Sequence, residues 1–121
     1  MENFSNNLDI PIIKKSRELY SRTHKMIFSL PKFERYSLGE RMETALLDLI
    51  ELTVLANSEA KITKKAILRR ANAKNETLKI LYALVFELEL IEFKSYIDFE
   101  NRLIENGKMI NGWIKYCRHS N

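Results

Sequence analysis

The sequence contains few of the residues that form turns, disulfides and metal sites. Only 3 glycines and 2 prolines occur in 121 residues, and this scarcity favours long helices over many short strands. Cys117 is the only cysteine, so one chain can form neither an internal disulfide nor a cysteine-based zinc site. At this length we expect a single domain, spanning residues 1–121, with a buried core.

Long apolar runs are also missing from the sequence. No apolar stretch approaches the roughly 20 residues that a membrane-spanning helix needs. The first residues, which include Glu2 and Asp9, lack the basic start and the apolar stretch of a secretory signal. We therefore predict a cytoplasmic protein with no membrane association.

Residues that could form a catalytic centre are scarce. His24 and His119 are the only histidines, and no Glu-x-x-His pair is present to build a di-metal site in a helical bundle. The glycines are isolated, which excludes a phosphate-binding loop and a nucleophile elbow. Cys117 and His119 could hold a metal only with ligands from another subunit. We predict a protein that is not an enzyme and needs no cofactor or metal.

Apolar residues recur at helical spacing in four segments, which we place at about residues 10–30, 37–58, 61–90 and 94–117. Ser37 is a predicted N-cap, because Glu40 three places later completes a capping box. Helices of about 20 residues joined by short connections are typical of one architecture. The fold class that we predict is all-α, an antiparallel up-down-up-down four-helix bundle.

Two of these helices carry features that call for a close neighbour. The second has a further apolar face, made of Leu47, Ile50 and Val54, and this pattern predicts burial on two sides. The fourth contains Gly112, although a glycine inside a helix costs about 1 kcal/mol relative to alanine. Close approach of another helix would offset that cost, and a local bend is the alternative. Trp113 is either a core anchor or a contact with a neighbouring subunit.

Charge is strongly segregated along the chain, although the net charge is only +4. The predicted third helix opens with a cationic ridge formed by Lys61, Lys65 and Arg69, with Arg70 and Lys74 beside it. Such a ridge can neutralise the phosphates of a nucleic acid in a salt-sensitive way. The alternative is an ordinary solvated helix face.

The predicted first helix is cationic as well. Its bases are Lys14, Lys15, Arg17, Arg22 and Lys25. If the first and third helices are adjacent, the two sets of bases would present one continuous surface to a polyanion. They could equally be charges that keep the protein in solution.

Several segments carry a resemblance that covers nearly the whole chain: 12–15 (IIKK), 30–33 (LPKF), 36–41 (YSLGER), 68–72 (LRRAN) and 107–115 (GKMINGWIK). In their order and spacing they resemble the accessory variability determinant proteins of diversity-generating retroelements. These proteins lie within a bacterial four-helix-bundle family that includes the 23S ribosomal RNA intervening-sequence proteins.

The resemblance implies a homopentameric barrel that binds a reverse transcriptase and its template RNA, with DNA as a further ligand, and supports copying without catalysing it. Lys65 of the ridge is one candidate for nucleic-acid or polymerase contact. The resemblance implies five more such residues: Arg41, Arg69, Arg70, Lys74 and Lys79. It implies Gly112 and Trp113 for packing between helices or subunits. The alternative is a purely structural, homo-oligomerising bundle of the intervening-sequence type.

Overall fold

The computed structural model describes residues 7–119, and this part of the chain is all-α. Its long helices are α1 (Pro11–Phe28), α2 (Glu40–Asn57), α3 (Lys61–Glu87) and α4 (Phe93–His119). All four predicted helices are confirmed, and their bounds shift by only a few residues. Within the described residues, no helix combines the length and the apolar character that crossing a membrane requires.

The connection between α1 and α2 is itself helical. A short helix, Lys32–Glu34, continues through a π-helical turn, Arg35–Gly39, directly into α2. The predicted capping box is therefore wrong, because Ser37 lies inside the π-helical turn and not at a free helix end. Its hydroxyl donates a hydrogen bond of 3.1 Å to the carbonyl of Phe33. The turn supplies backbone carbonyls as acceptors for the first N–H groups of α2, so no side-chain cap is needed there.

The π-helical turn packs closely against α1. Gly39 is buried at this contact, and a Cβ added to it would lie 2.9 Å from Cγ2 of Ile27. That distance is shorter than normal packing allows, so a glycine lets the turn approach α1. The guanidinium Nε of Arg35 donates to the carbonyl of Leu30 at 3.0 Å and holds the start of the turn against the end of α1.

The core receives apolar side chains from every long helix. The largest fully buried ones include Ile13, Leu19, Leu46, Leu49, Leu78, Tyr82, Leu103 and Ile110. Each such side chain stabilises the fold by about 1.5–3 kcal/mol relative to an exposed one. The apolar residues that recur at helical spacing on α3 and α4 are largely buried, whereas Leu88, which follows the end of α3, is exposed.

The second apolar face of α2 is covered only in part. Leu47 remains 52% exposed, while Ile50 and Val54 are half-buried. The predicted burial on two sides is wrong for Leu47, whereas Val54 packs partly against the core.

Each long helix has two main packing neighbours. Helices α1 and α3 each pack against α2 and α4, and therefore face one another across the interior. The start of α3 contacts the end of α4, where Lys64 lies over Trp113. The end of α3 contacts the start of α4, where Phe86 packs on Phe93. Two ion pairs join α1 and α4 in the same manner. Lys15 pairs with Glu105, and Arg22, further along α1, pairs with Asp98, which comes earlier in α4.

Polar side chains take part in the interior packing. The hydroxyls of Thr23 on α1 and Tyr82 on α3 are hydrogen-bonded, and the Tyr82 ring stacks on Phe99 with centroids 4.5 Å apart. Burial raises the pKa of Tyr82, and the hydrogen bond from Thr23 offsets only part of this rise. The Nδ2 of Asn75 donates to the carbonyl of Leu103 at 2.9 Å, so α3 and α4 are also joined by a buried hydrogen bond.

Candidate nucleic-acid interface

The outer face of α3 presents three of the predicted cations to solvent. Arg69 and Arg70 are exposed, and Lys65 is half-buried one turn before Arg69. Residues four apart share a helix face, so Lys65 and Arg69 point to the same side. Among the described residues, none of the three forms an ion pair with an acidic side chain. We call Lys65, Arg69 and Arg70 the α3 ridge.

Two further predicted cations flank the α3 ridge but are already paired. The Nζ of Lys74 lies 3.2 Å from Oδ2 of Asp48 on α2, and the Nζ of Lys79 lies 3.1 Å from Oε2 of Glu76. The two lysines therefore point to different sides of α3. Ion pairs between partly exposed groups contribute about 0.2–1 kcal/mol. A phosphate can compete for such lysines at little cost.

Arg41 is exposed but far from the α3 ridge. It lies in the first turn of α2, whereas the ridge lies near the start of α3, which follows the end of α2 after the short segment 58–60. A helix rises by 1.5 Å per residue, so Arg41 is about 24 Å from the end of α2. The structure does not bring Arg41 together with the ridge.

Gly112 and Trp113 have different surroundings. Gly112 is exposed, and among the described residues no atom outside its chain neighbours and the backbone of its own helix lies within 4 Å of a Cβ added to it. It therefore does not serve a close approach between helices of the same chain. Trp113 is half-buried against the core, with the Nζ of Lys64 5.5 Å from its ring centroid. Packing of the two residues against another subunit stays a prediction.

The cations of α1 do not extend the α3 ridge, because α1 and α3 lie on opposite sides of the interior. They line instead an open groove between α1 and the start of α4, which we call the α1–α4 groove. Its charged lining consists of Lys14, Arg17, Arg22, Lys25, Lys94, Glu18, Glu92 and Asp98. Because α1 and α3 are not adjacent, their cations do not form one continuous surface. Sequence reasoning missed this groove, although the spacing of Lys14, Arg17 and Lys25 already placed them on one helix face.

The residues considered for a metal site show no cluster. Cys117 is buried, and the side chain of His119 lies outside the part that the structure describes. Within that part, no three His, Cys, Asp or Glu side chains are grouped so that they could hold a metal ion. The arrangement therefore offers exposed positive charge as its main chemical property.

Comparison with known proteins decides the family. A model of the bAvd-like family matches residues 11–117, which include nearly all of the four long helices. The chain belongs to the bAvd-like family. This is the family of the accessory variability determinant proteins of diversity-generating retroelements, so the resemblance seen in the sequence is confirmed. The bAvd-like family indicates an accessory role and is not known for enzymes. The chain has no match among curated proteins and none among solved structures.

Proposed function

We propose that this bAvd-like protein is a non-enzymatic accessory protein that binds a reverse transcriptase and its template RNA. The observation that carries the proposal is the α3 ridge, with Arg69 and Arg70 exposed and unpaired among the described residues of a chain from an accessory family. Phosphate binding by such cations releases condensed counterions, which drives association at moderate salt. DNA carries the same phosphates and is a second ligand of the same surface.

The predicted residues divide into groups with different tasks. Lys65, Arg69 and Arg70 form the central contact with RNA, while Lys74 and Lys79 leave their acidic partners to bind phosphates on either side. Arg41, at the distant end of α2, contacts the polymerase or a remote part of the RNA. This division follows from the separation of the groups on the surface.

We further propose that the chain is a single-domain, antiparallel up-down-up-down bundle that assembles into a cytoplasmic homopentamer. The opposite progression of contacts along neighbouring helices supports this topology. An exposed apolar face of α2 supports assembly: Leu47 is 52% exposed and lies beside the half-buried Ile50 and Val54. Surfaces of this kind mark protein interfaces. The open space at Gly112 and the half-buried ring of Trp113 allow a neighbouring subunit to approach α4.

A purely structural oligomer is the second candidate. The observation that favours it is the position of Ile62 and Ile80, because both lie on the outer face of α3 with Arg69 between them. A subunit that covered these isoleucines would also cover the arginine. Assembly and RNA binding would then compete for one face, and the protein would associate without affinity for RNA.

Light scattering coupled to size-exclusion chromatography at physiological salt, with and without a structured RNA, separates the two candidates. We expect a stable oligomer that retains the RNA, and a double variant Arg69→Glu and Arg70→Glu that keeps its helical circular dichroism but loses the RNA. The matched control is Lys14→Glu with Arg17→Glu, which makes the same charge change on α1. Equal losses in both variants would refute a role for the α3 ridge. An oligomer indifferent to RNA would establish the structural candidate.

The polymerase is tested separately. A pull-down of the reverse transcriptase by wild-type protein and by Arg41→Glu measures the contact proposed for α2. We expect weaker capture by the variant and unchanged oligomerisation. Full capture by Arg41→Glu would remove Arg41 from the interface.

A further inference from the structure

At one end of the bundle, lysines lie over the faces of aromatic rings. The Nζ of Lys61 is 4.9 Å from the ring centroid of Tyr116, and the Nζ of Lys64 is 5.5 Å from that of Trp113. The lysines come from the first turn of α3 and the aromatic residues from the end of α4. Both contacts are cation–π interactions, in which the ring face attracts positive charge. The two helices thus bring the aromatic and cationic groups together at one place.

The ring of Tyr116 does not serve the core. Its side chain is 58% exposed, and its neighbours Lys61 and Lys115 are exposed as well. Two other exposed aromatic residues contact further aromatic rings, Phe28 with His24 and Phe93 with Phe86. Tyr116 has its ring beside cations instead, which is the combination that binds single-stranded nucleic acids.

We propose that this end of α3 and α4 binds an unpaired base of single-stranded RNA by stacking it on Tyr116. The base takes the place of the Lys61 ammonium over the ring, and Lys61, Lys64 and Lys115 contact the phosphates on either side. An acidic peptide would satisfy the lysines but would leave the ring face without a planar partner. The proposal rests on the proposed function, since its ligand is RNA.

The site continues into the α3 ridge. Lys61 lies one helical turn before Lys65, which in turn lies one turn before Arg69. An RNA strand whose base stacks on Tyr116 can therefore run along the outer face of α3 with its phosphates near these cations. The end site selects for single strands, because in a duplex the base faces are already stacked on one another, whereas the ridge contacts phosphates of either form.

The test uses the full chain with one single-stranded RNA oligonucleotide and the duplex formed from it, at physiological salt. For Tyr116→Leu we expect about tenfold weaker binding of the single strand and unchanged binding of the duplex, from the contribution of one stacked base. Tyr116→Phe keeps the ring and should bind as the wild type does. Tyr36→Leu is the matched control, because Tyr36 is 65% exposed in the segment between α1 and α2.

A built-in reporter provides a second readout. Trp113 is the only tryptophan, and it lies at the proposed site under Lys64. We expect its fluorescence to change when the single strand binds and to change much less in Tyr116→Leu. Unaltered affinity of Tyr116→Leu for the single strand, or an equal loss for single strand and duplex, would overturn the inference.

The two proposals fail in different ways. Wild-type protein that binds neither RNA form would contradict the proposed function and this inference together. Wild-type protein that binds RNA through Arg69 and Arg70, while Tyr116→Leu binds the single strand as tightly, would contradict the stacking site alone.

Discussion

Helix α4 meets α3 and α1 along two seams of opposite character. Along α3, the Tyr82 and Phe99 rings stack at 4.5 Å, and Asn75 donates a buried hydrogen bond to the carbonyl of Leu103. Gly107 lies close to this bond, since a Cβ added to it would be 3.4 Å from Nδ2 of Asn75. The seam is closely packed and excludes solvent.

Along α1, α4 also forms ion pairs near solvent. Lys15 pairs with Glu105 at 3.3 Å and Arg22 with Asp98 at 3.9 Å, and all four side chains are about half exposed. The same side opens into the α1–α4 groove. The α3–α4 seam thus joins buried side chains, whereas the ion pairs of the α1–α4 seam lie at the surface.

The largest expected effect is at the closely packed seam. Tyr82→Ala removes a fully buried ring together with its stack on Phe99 and its hydrogen bond with Thr23. We expect the free energy of unfolding to fall by about 3–5 kcal/mol, as for other large-to-small substitutions in cores. Urea unfolding followed by circular dichroism measures it. Tyr116→Ala removes an exposed ring and serves as the control. Similar losses of unfolding free energy in Tyr82→Ala and Tyr116→Ala would contradict the contrast between the buried and the exposed ring.

An effect of intermediate size depends on pH. Burial raises the pKa of Tyr82 above its ordinary value of about 10, so the folded protein holds the phenol proton more tightly than the unfolded chain does. This stabilisation is complete below pH 10 and is lost as the pH rises toward the folded pKa. Between about pH 10 and 11, wild type should lose about 1 kcal/mol more than Tyr82→Phe, which has no ionisable group there. Parallel losses would show that Tyr82 ionises as easily as an exposed tyrosine.

The smallest effect belongs to the charged seam. Glu105→Gln breaks the ion pair with Lys15, whose side chain is 42% exposed, and should lower the free energy of unfolding by less than about 1 kcal/mol. Added salt should shrink the difference further, because it screens exposed charges. Chemical unfolding at low and high salt provides the measurement. A loss of several kcal/mol would mean that the α1–α4 seam is as important for stability as the α3–α4 seam.

The two cationic surfaces show a similar contrast. The α3 ridge projects from a helix that is held firmly by its inner face, so Arg69 and Arg70 occupy defined positions. The cations of α1 border a groove whose walls contact each other less closely. Under the proposed function, the α3 ridge would hold its phosphate contacts in defined positions, whereas the open groove would attract polyanions generally.

The sequence by itself determined the helices, the apolar stripes and the cationic character of α3. These properties are local, since helical periodicity and the identity of side chains one turn apart need no knowledge of the partner helix. The resemblance carried by short segments likewise identified the family from sequence. The predicted start of α2 was wrong because Ser37 obeys a local capping rule that the continuous π-helical turn makes unnecessary.

Only the tertiary structure decided which groups lie beside each cation. Lys74 and Lys79 belong to the same basic run, yet the packing of α2 on α3 places Lys74 beside Asp48, whereas Lys79 pairs with Glu76 one turn earlier on its own helix. It also placed α1 across the interior from α3 and brought Lys61 to the ring of Tyr116. Charges attract or repel according to distance in space, and that distance depends on how helices far apart in the chain pack against each other.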